Sequence, residues 1–237
     1  MPVAPLSRSQ ESRIILDQID HLPPLPPLAA RDQVESGSIA IAKHVVRLME
    51  MMPTTAETGG LPRSEFWRHS LAVACASRSI AEEISADGSH DELFVQGLLH
   101  DIGKLALSWL MPRSYAKAMR LAQQGQRDIC EVERELLGVD HQIAGHRLAQ
   151  RWNLPPGITD AISLHHHEPS TLSVSVRIVQ LADLMARELG IGLSGNSCIA
   201  ESLVKSSAQE MGLNQSQWLR IKESLPREVD SESAWIH

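Results

Sequence analysis

The sequence predicts an all-α fold. Three observations carry that expectation. Apolar residues recur every three or four positions from Ser38 onward, turn-forming clusters interrupt them at helix-length intervals, and strand-like alternation is nearly absent. A chain of 237 residues suffices for one large domain or a domain with an appendage. Its 43% hydrophobic and 22% charged residues are the balance of an ordinary soluble globular protein, and with aromatics at 3% the core falls to aliphatic residues and alanine.

Residues 1–13 are polar and read as a loose tail. "RIILDQIDHL" (13–22) reads as a short amphipathic helix, stopped by "PPLPPL" (23–28), whose prolines enforce extended or PPII geometry. That stretch reads as a stiff lead-in packed on the domain, a PxxP ligand being the rarer alternative. A helical pattern over 38–52 follows, then "PTTAETGGLP" (53–62) as a loop. Further helices are expected over 65–84, 90–110, 113–125, 128–137, 141–152, 156–166, 173–189 and 197–211, with 214–225 as a last candidate. "ADGSHD" separates the first two of these, Asp140 is placed to cap the helix opened by His141, and "NLPPG" and "HEPS" bracket the sixth. "LSVSVRIVQL" (172–181) alternates briefly but runs into "ADLMAREL" and reads better as helix. The expected organisation is an N-terminal portion over 1–60, a compact helical domain over 61–212, and a C-terminal helix and tail over 213–237.

The net charge of -7, with no lysine/arginine block, argues against nucleic-acid binding but leaves room for a local basic pocket. Cys75, Cys130 and Cys198 are far apart and odd in number, and there is no CxxC pair, which speaks against a disulfide framework or a cysteine zinc site. The opening "MPVAPLSRSQESR" has no apolar signal core, and no run of ~18 apolar residues could span a bilayer. A cytoplasmic, membrane-free protein is expected.

Histidine is the compositional oddity, with 11 copies, several near acidic residues. In "LLHDIGKLAL" (98–107) an apolar stripe carries His100, Asp101 and Lys104. On a helix Lys104 shares a face with both, so the three border one cleft, and Gly103 lets another backbone approach. A buried Asp101–Lys104 ion pair is the plainer reading of the same residues. His69 lies in "SEFWRHSLAVACA", His141 opens "HQIAGHRLAQRW", His165, His166 and His167 end "GITDAISLHHH", and Asp183 interrupts the apolar run "RIVQLADLMA". Each alone is more often a satisfied core or surface residue. Together they form a set of imidazoles and carboxylates over five helices, suited to manganese, iron, zinc or magnesium. Pro169 should end the helix near His166, where consecutive side chains can turn toward one point. Glu65, four residues before His69, reads equally as a further ligand or as a carboxylate complementing the helix dipole.

The order His69 … His100-Asp101 … Asp183 resembles the HD superfamily of metal-dependent phosphohydrolases, and His141, His166 and His167 resemble the two-metal HD-GYP variety. The wording "FWRHSLAVACASR", "LFVQGLLHDIGKLAL", "ERELLGVDHQIAGHRLAQRWNLPPGI" and "HHEP", with the opening "LPPLPPL", is closer still to the HDOD family of bacterial signalling output domains. That resemblance implies an HD-domain-like multi-helix bundle, with a shortened N-terminal helical portion because only residues 29–64 separate the lead-in from the FWRHS helix. After "HHE" the chain reads "PSTLS" and lacks the HD-GYP substrate-loop signature, which argues against cyclic di-GMP hydrolysis.

Carried over by resemblance, one divalent metal would be held by His69, His100, Asp101 and Asp183. A second would be held by Asp101, His141, His166 and His167, with Asp101 bridging. Lys104 would supply charge to a phosphate oxygen, and His165 and His146 fall outside the ligand set. Two functions remain open. One is a regulatory module with a signalling-protein partner; the other is a phosphohydrolase acting on a phosphorylated small molecule, with Asp101 and Lys104 as its catalytic residues.

Overall fold

The computed structural model describes residues 7–25, 37–51, 61–86, 90–193, 195 and 201–236, with backbone alone for 201–205, 235 and 236. Among these every regular element is helical, as the spacing of apolar residues predicts. Helix α1 (Arg8–Asp20) begins inside the stretch expected to be loose. The cause is a capping box: Ser7 caps the helix, and its own backbone N–H donates to Gln10 Oε1 at 2.8 Å. Ile15 and Ile19 are buried as α1 packs on α8 (His141–Arg151), and Trp152 Nε1 donates to the carbonyl of Pro23 at 2.9 Å. The start of the proline lead-in is thus packed; its remainder from residue 26, the loop over 53–60 and residues 87–89 of "ADGSHD" lie outside the described residues.

Helix α2 (Gly37–Met51) is tied to α3 (Arg63–Glu83) by Trp67 Nε1, which donates to Glu50 Oε1 at 2.7 Å. α3 is the central rod. Its residues from Phe66 to Ala81 are buried nearly all round, and Ala72, Ala74, Ala76, Ser70 and Ser77 keep it thin enough for α4, α10 and α12 to close on it.

The single helix expected over 90–110 is two helices, α4 (His90–Leu99) and α5 (Ile102–Leu110), broken at His100 and Asp101. The histidine itself accounts for the break. His100 Nδ1–H donates to the Gly97 carbonyl at 2.7 Å, occupying the acceptor that the Asp101 N–H would use in a continuous helix. Asp101 then starts α5, its carbonyl accepting the Lys104 N–H at 2.8 Å. α5 crosses α8 so closely that a Cβ on Gly103 would run into the His141 carbonyl.

Helices α6 (Pro112–Gly125) and α7 (Ile129–Leu137) form a hairpin leading into α8. α9 (Pro156–Leu164) packs on α8 and α4, and a 3₁₀ turn (Pro169–Thr171) precedes α10 (Val174–Glu188), which returns to α3. α11 (Glu201–Glu210) and α12 (Gln215–Ser231) complete the chain; residues 196–200, at the start of the helix expected over 197–211, lie outside the described residues. α12 runs past the expected end at 225 despite Pro226 inside it, because Leu225 and Val229 are buried in the core, where α12 packs on α3. Burial of two such side chains, at roughly 1.5–3 kcal/mol each, offsets the cost of about 3 kcal/mol for an interior proline. The core is one continuous cluster, mostly aliphatic and alanine. No helix among the described residues is long and apolar enough to cross a membrane.

Candidate metal centre

The break between α4 and α5 is the pivot of the site. It turns two neighbouring residues toward the same interior point, where α3, α8, α10 and the end of α9 converge. His69 from α3, His100 and Asp101 from the break, His141 from the first turn of α8, His165 from the end of α9 and Asp183 from α10 are all at most 4% exposed.

Asp101 stands in the middle. Its Oδ2 lies 2.6 Å from Lys104 Nζ, 3.3 Å from His100 Nε2 and 3.9 Å from His69 Nε2. Its Oδ1 lies 3.3 Å from His165 Nε2 and 3.4 Å from His141 Nε2. Asp183 Oδ1 closes one side at 3.0 Å from His69 Nε2 and 4.0 Å from His100 Nε2. Around Asp101 and Asp183 the donor atoms fall into two sets, each within 4.8 Å: His69, His100 and Asp183; and Asp101, His141, His165 and His166; a third set, Cys130, Glu133 and His141, shares His141 and lies behind it.

The imidazoles are oriented from behind. His100 Nδ1–H is committed to the Gly97 carbonyl at 2.7 Å and His165 Nδ1–H to the Ala161 carbonyl at 3.0 Å, which turns each Nε2 lone pair inward. His141 Nδ1 faces Glu133 Oε2 at 2.7 Å. His69 Nε2, His100 Nε2, His166 Nε2 and Asp101 Oδ1 remain buried without a partner in hydrogen-bonding geometry. Buried polar atoms normally have partners, so this many unpartnered nitrogen and oxygen atoms facing one another is the pattern a cation would complete. Nitrogen and carboxylate donors of this kind fit a divalent transition metal.

The electrostatics agree. Burial alone would raise the pKa of Asp101, but the charges of His100 and Lys104 hold it well below the usual carboxylate range. Burial acts likewise on Asp183 and is overturned by Arg187 and His69. Burial pulls His165 down to about 4 and His166 well below its ordinary value. At His141 burial is overcome by Glu133, and the pKa rises well above 6.5.

Of the residues singled out in the sequence, His69, His100, Asp101, His141, His166 and Asp183 meet here. His167 does not: it is exposed, and it is its carbonyl that Gln180 Nε2 reaches, at 2.7 Å. In place of His166 and His167, which the resemblance implied, the structure gathers His165 and His166 beside Asp101 and His141, at the end of α9, which stops at Leu164, two residues before the expected end. Glu65 is exposed on the first turn of α3 and belongs to neither set. Lys104 is buried against Asp101 and does not line the neighbouring cavity. That cavity, of about 410 Å³, opens onto His165, His166 and Asp183, and its wall carries Arg177, Gln180 and Arg187 from α10. Glu133, fully buried behind His141, also escaped the sequence reading. Its signal was there: a carboxylate on the apolar stripe of α7, four residues from both Ile129 and Leu137.

The HDOD domain model matches residues 36–169, more than half of the chain. The protein belongs to the HDOD family. An uncharacterized protein of Treponema pallidum (strain Nichols) is 25% identical over 132 residues, 54% of this chain and 25% of that protein, so the match spans a quarter of that relative's length. A candidate phosphohydrolase of Shewanella amazonensis SB2B has a similar structure, with TM-score 0.63 at 20% identity, covering 100% of this HDOD chain and 95% of that one. The MmoQ response regulator of Methylococcus capsulatus str. Bath superposes with TM-score 0.59 at 22% identity, covering 90% and 83% of the two chains. At such identities these likenesses establish the all-helical fold.

Proposed function

We propose that this HDOD protein is a regulatory module of bacterial signal transduction whose interior His/Asp centre holds one or two divalent ions, of iron, manganese, zinc or magnesium. One observation carries the reading: Asp101 lies buried between two sets of inward-facing imidazole nitrogens, of which those of His69, His100 and His166 lack partners of their own. Ligands from five segments distant in sequence make occupancy a cross-link through the core. Metal loading would stabilise that arrangement by mass action, about 2.7 kcal/mol when free metal is a hundredfold above Kd. Membership of a signalling family and the resemblance to a response regulator support the output role. The surface so presented would be read by a signalling-protein partner.

A second reading, a metal-dependent phosphohydrolase, is favoured by the cavity beside His165 and His166. A bound divalent ion would supply Lewis acidity and a water of lowered pKa. Arg177 and Arg187 would orient the phosphoryl group of a phosphorylated small molecule, and Asp101 would hold the two sets of donors at a fixed spacing. Lys104, paired with Asp101, would tune that carboxylate rather than touch the phosphate.

Elemental analysis of protein purified without chelator tests both readings. One to two equivalents of metal in the wild type, absent from His100→Ala/Asp101→Ala, are expected. No metal after anaerobic reconstitution would overturn them together. With metal bound, turnover of a phosphodiester such as bis-p-nitrophenyl phosphate, lost in Asp101→Asn, would replace the regulatory reading with the enzymatic one.

A further inference from the structure

We propose that Glu133 is a positioning residue that fixes the His141 ring, keeping its Nδ1 proton on the α7 side and presenting Nε2 to the centre. The proposal rests on the metal-centre reading and adds a residue outside the two ligand sets around Asp101 and Asp183.

Glu133 has no exposed surface, and a carboxylate so placed requires compensation. It finds that chiefly at His141, with the buried Tyr115 hydroxyl also beside it. Glu133 Oε2 accepts the His141 backbone N–H at 2.8 Å and lies 2.7 Å from His141 Nδ1. A capping role does not account for both contacts. Helix α8 already has a cap in Asp140, whose Oδ1 accepts the Ile143 N–H at 2.9 Å and whose other oxygen pairs with Arg134. The ring contact is additional, and its effect on the far side of the imidazole is direct: with Nδ1–H engaged, Nε2 is the atom facing Asp101 Oδ1 at 3.4 Å.

The comparison with the neighbouring rings shows what is special here. His100 and His165 donate to backbone carbonyls, which are neutral acceptors. His141 donates to a carboxylate, a stronger acceptor that makes the imidazole a better electron donor at Nε2. Cys130 Sγ, 3.9 Å from the same Nδ1, is too distant to compete with the 2.7 Å contact. The spacing from Glu133 to His141 is set by Gly138, whose φ of 77° ends α7 and lets the chain turn directly into α8.

The test compares wild type, Glu133→Gln and Glu133→Ala. Glutamine keeps an acceptor for both N–H groups but removes the charge; alanine removes the acceptor. Zn²⁺ affinity is measured by chelator competition, and ring N–H resonances of the metal-free proteins by ¹⁵N NMR, with thermal unfolding as a control for folding. Loss of an outer carboxylate of this kind weakens metal binding about 10–100-fold. The expected result is about tenfold weaker binding in Glu133→Gln at unchanged fold, a larger loss in Glu133→Ala, and a hydrogen-bonded Nδ1–H signal of His141 that disappears only in the alanine variant. If the wild type binds zinc and both variants bind it equally well, the proposal is overturned while the centre stands. If the wild type binds none of zinc, iron, manganese or magnesium, the centre itself fails, and NMR alone decides on Glu133: absence of a proton on His141 Nδ1 overturns the positioning role. Should Glu133→Ala not fold, the glutamine variant carries the decision.

Discussion

The two sides of the centre use their carboxylates in opposite ways. On the α3–α10 side, Asp183 faces the interior beside His69, and its own counter-charge, Arg187, stands behind it at 3.3 Å. On the α8–α9 side the carboxylate, Glu133, stands behind a histidine and the interior receives imidazole nitrogens. Both sides meet at Asp101. The difference teaches how a buried cluster of this size is tolerated: each negative group has a positive or N–H partner, and the unpartnered atoms of His69, His100, His166 and Asp101 face the place a cation would reach.

Breaking the shared residue should erase the comparison. Asp101→Ala leaves Lys104, 1% exposed, without its carboxylate, and removing one partner of a buried pair costs roughly 3–5 kcal/mol. Chemical denaturation of the metal-free variant is expected to show that loss, with metal absent from both sides.

Acid titration of the metal-free protein should separate the sides. His165, pulled down to about 4 by burial, and His166, also lowered, must stay neutral in the fold while the unfolded chain takes up protons below about 6.5. Stability from these groups is therefore present above pH ~6.5 and is lost as pH falls toward 4. His141, raised by Glu133, contributes stability that is complete below ~6.5 and is lost only as pH rises through its folded pKa. Asp101 and Asp183, held below 3.8, lose theirs only under stronger acid. Urea midpoints falling between pH 6.5 and 4 in the wild type, and falling less in His165→Phe, would assign the slope to the α9 histidines; equal slopes would refute it.

A purely steric change sharpens the same contrast. Gly103→Ala drives a methyl into the His141 carbonyl, and overpacking of this kind costs about 1–3 kcal/mol. It should loosen metal held by the α8–α9 side first, visible as loss of one equivalent before the other. The smallest effect is expected at the outer edge. Arg147→Ala removes an exposed pair with Asp20, 2.7 Å from Arg147 Nε, and solvent screens such pairs so strongly that stability should hardly change. Metal content should not change.

Much of this centre is legible in the sequence, because histidines and aspartates within apolar helical segments are conspicuous. His69, His100, Asp101, His141 and Asp183 each stood out that way. The triple histidine was harder. His166 and His167 were implied by resemblance, whereas at the end of α9 it is His165 and His166 that turn inward and His167 that is exposed. The break at His100 was hidden for another reason: apolar periodicity continues across "LLHDIGKLAL", and what interrupts the helix is a side chain competing for the Gly97 carbonyl, a contact without a period. Glu133 was masked by its neighbours, since "CEVEREL" offers several glutamates and only the fold decides which one is enclosed.

The interruption between α4 and α5 also decides where the chain can absorb an insertion. Were 90–110 one helix, an added residue anywhere in it would rotate everything downstream by about 100°. As built, α4 is anchored to α3 on its own terms, and a residue gained just after Asp101 would leave that packing untouched. It would still carry Lys104 away from Asp101 and Gly103 out of its crossing with α8. The fold would survive such an event more readily than the centre would, so the joint is a place where descendants of this protein could keep their shape and lose their chemistry in a single step.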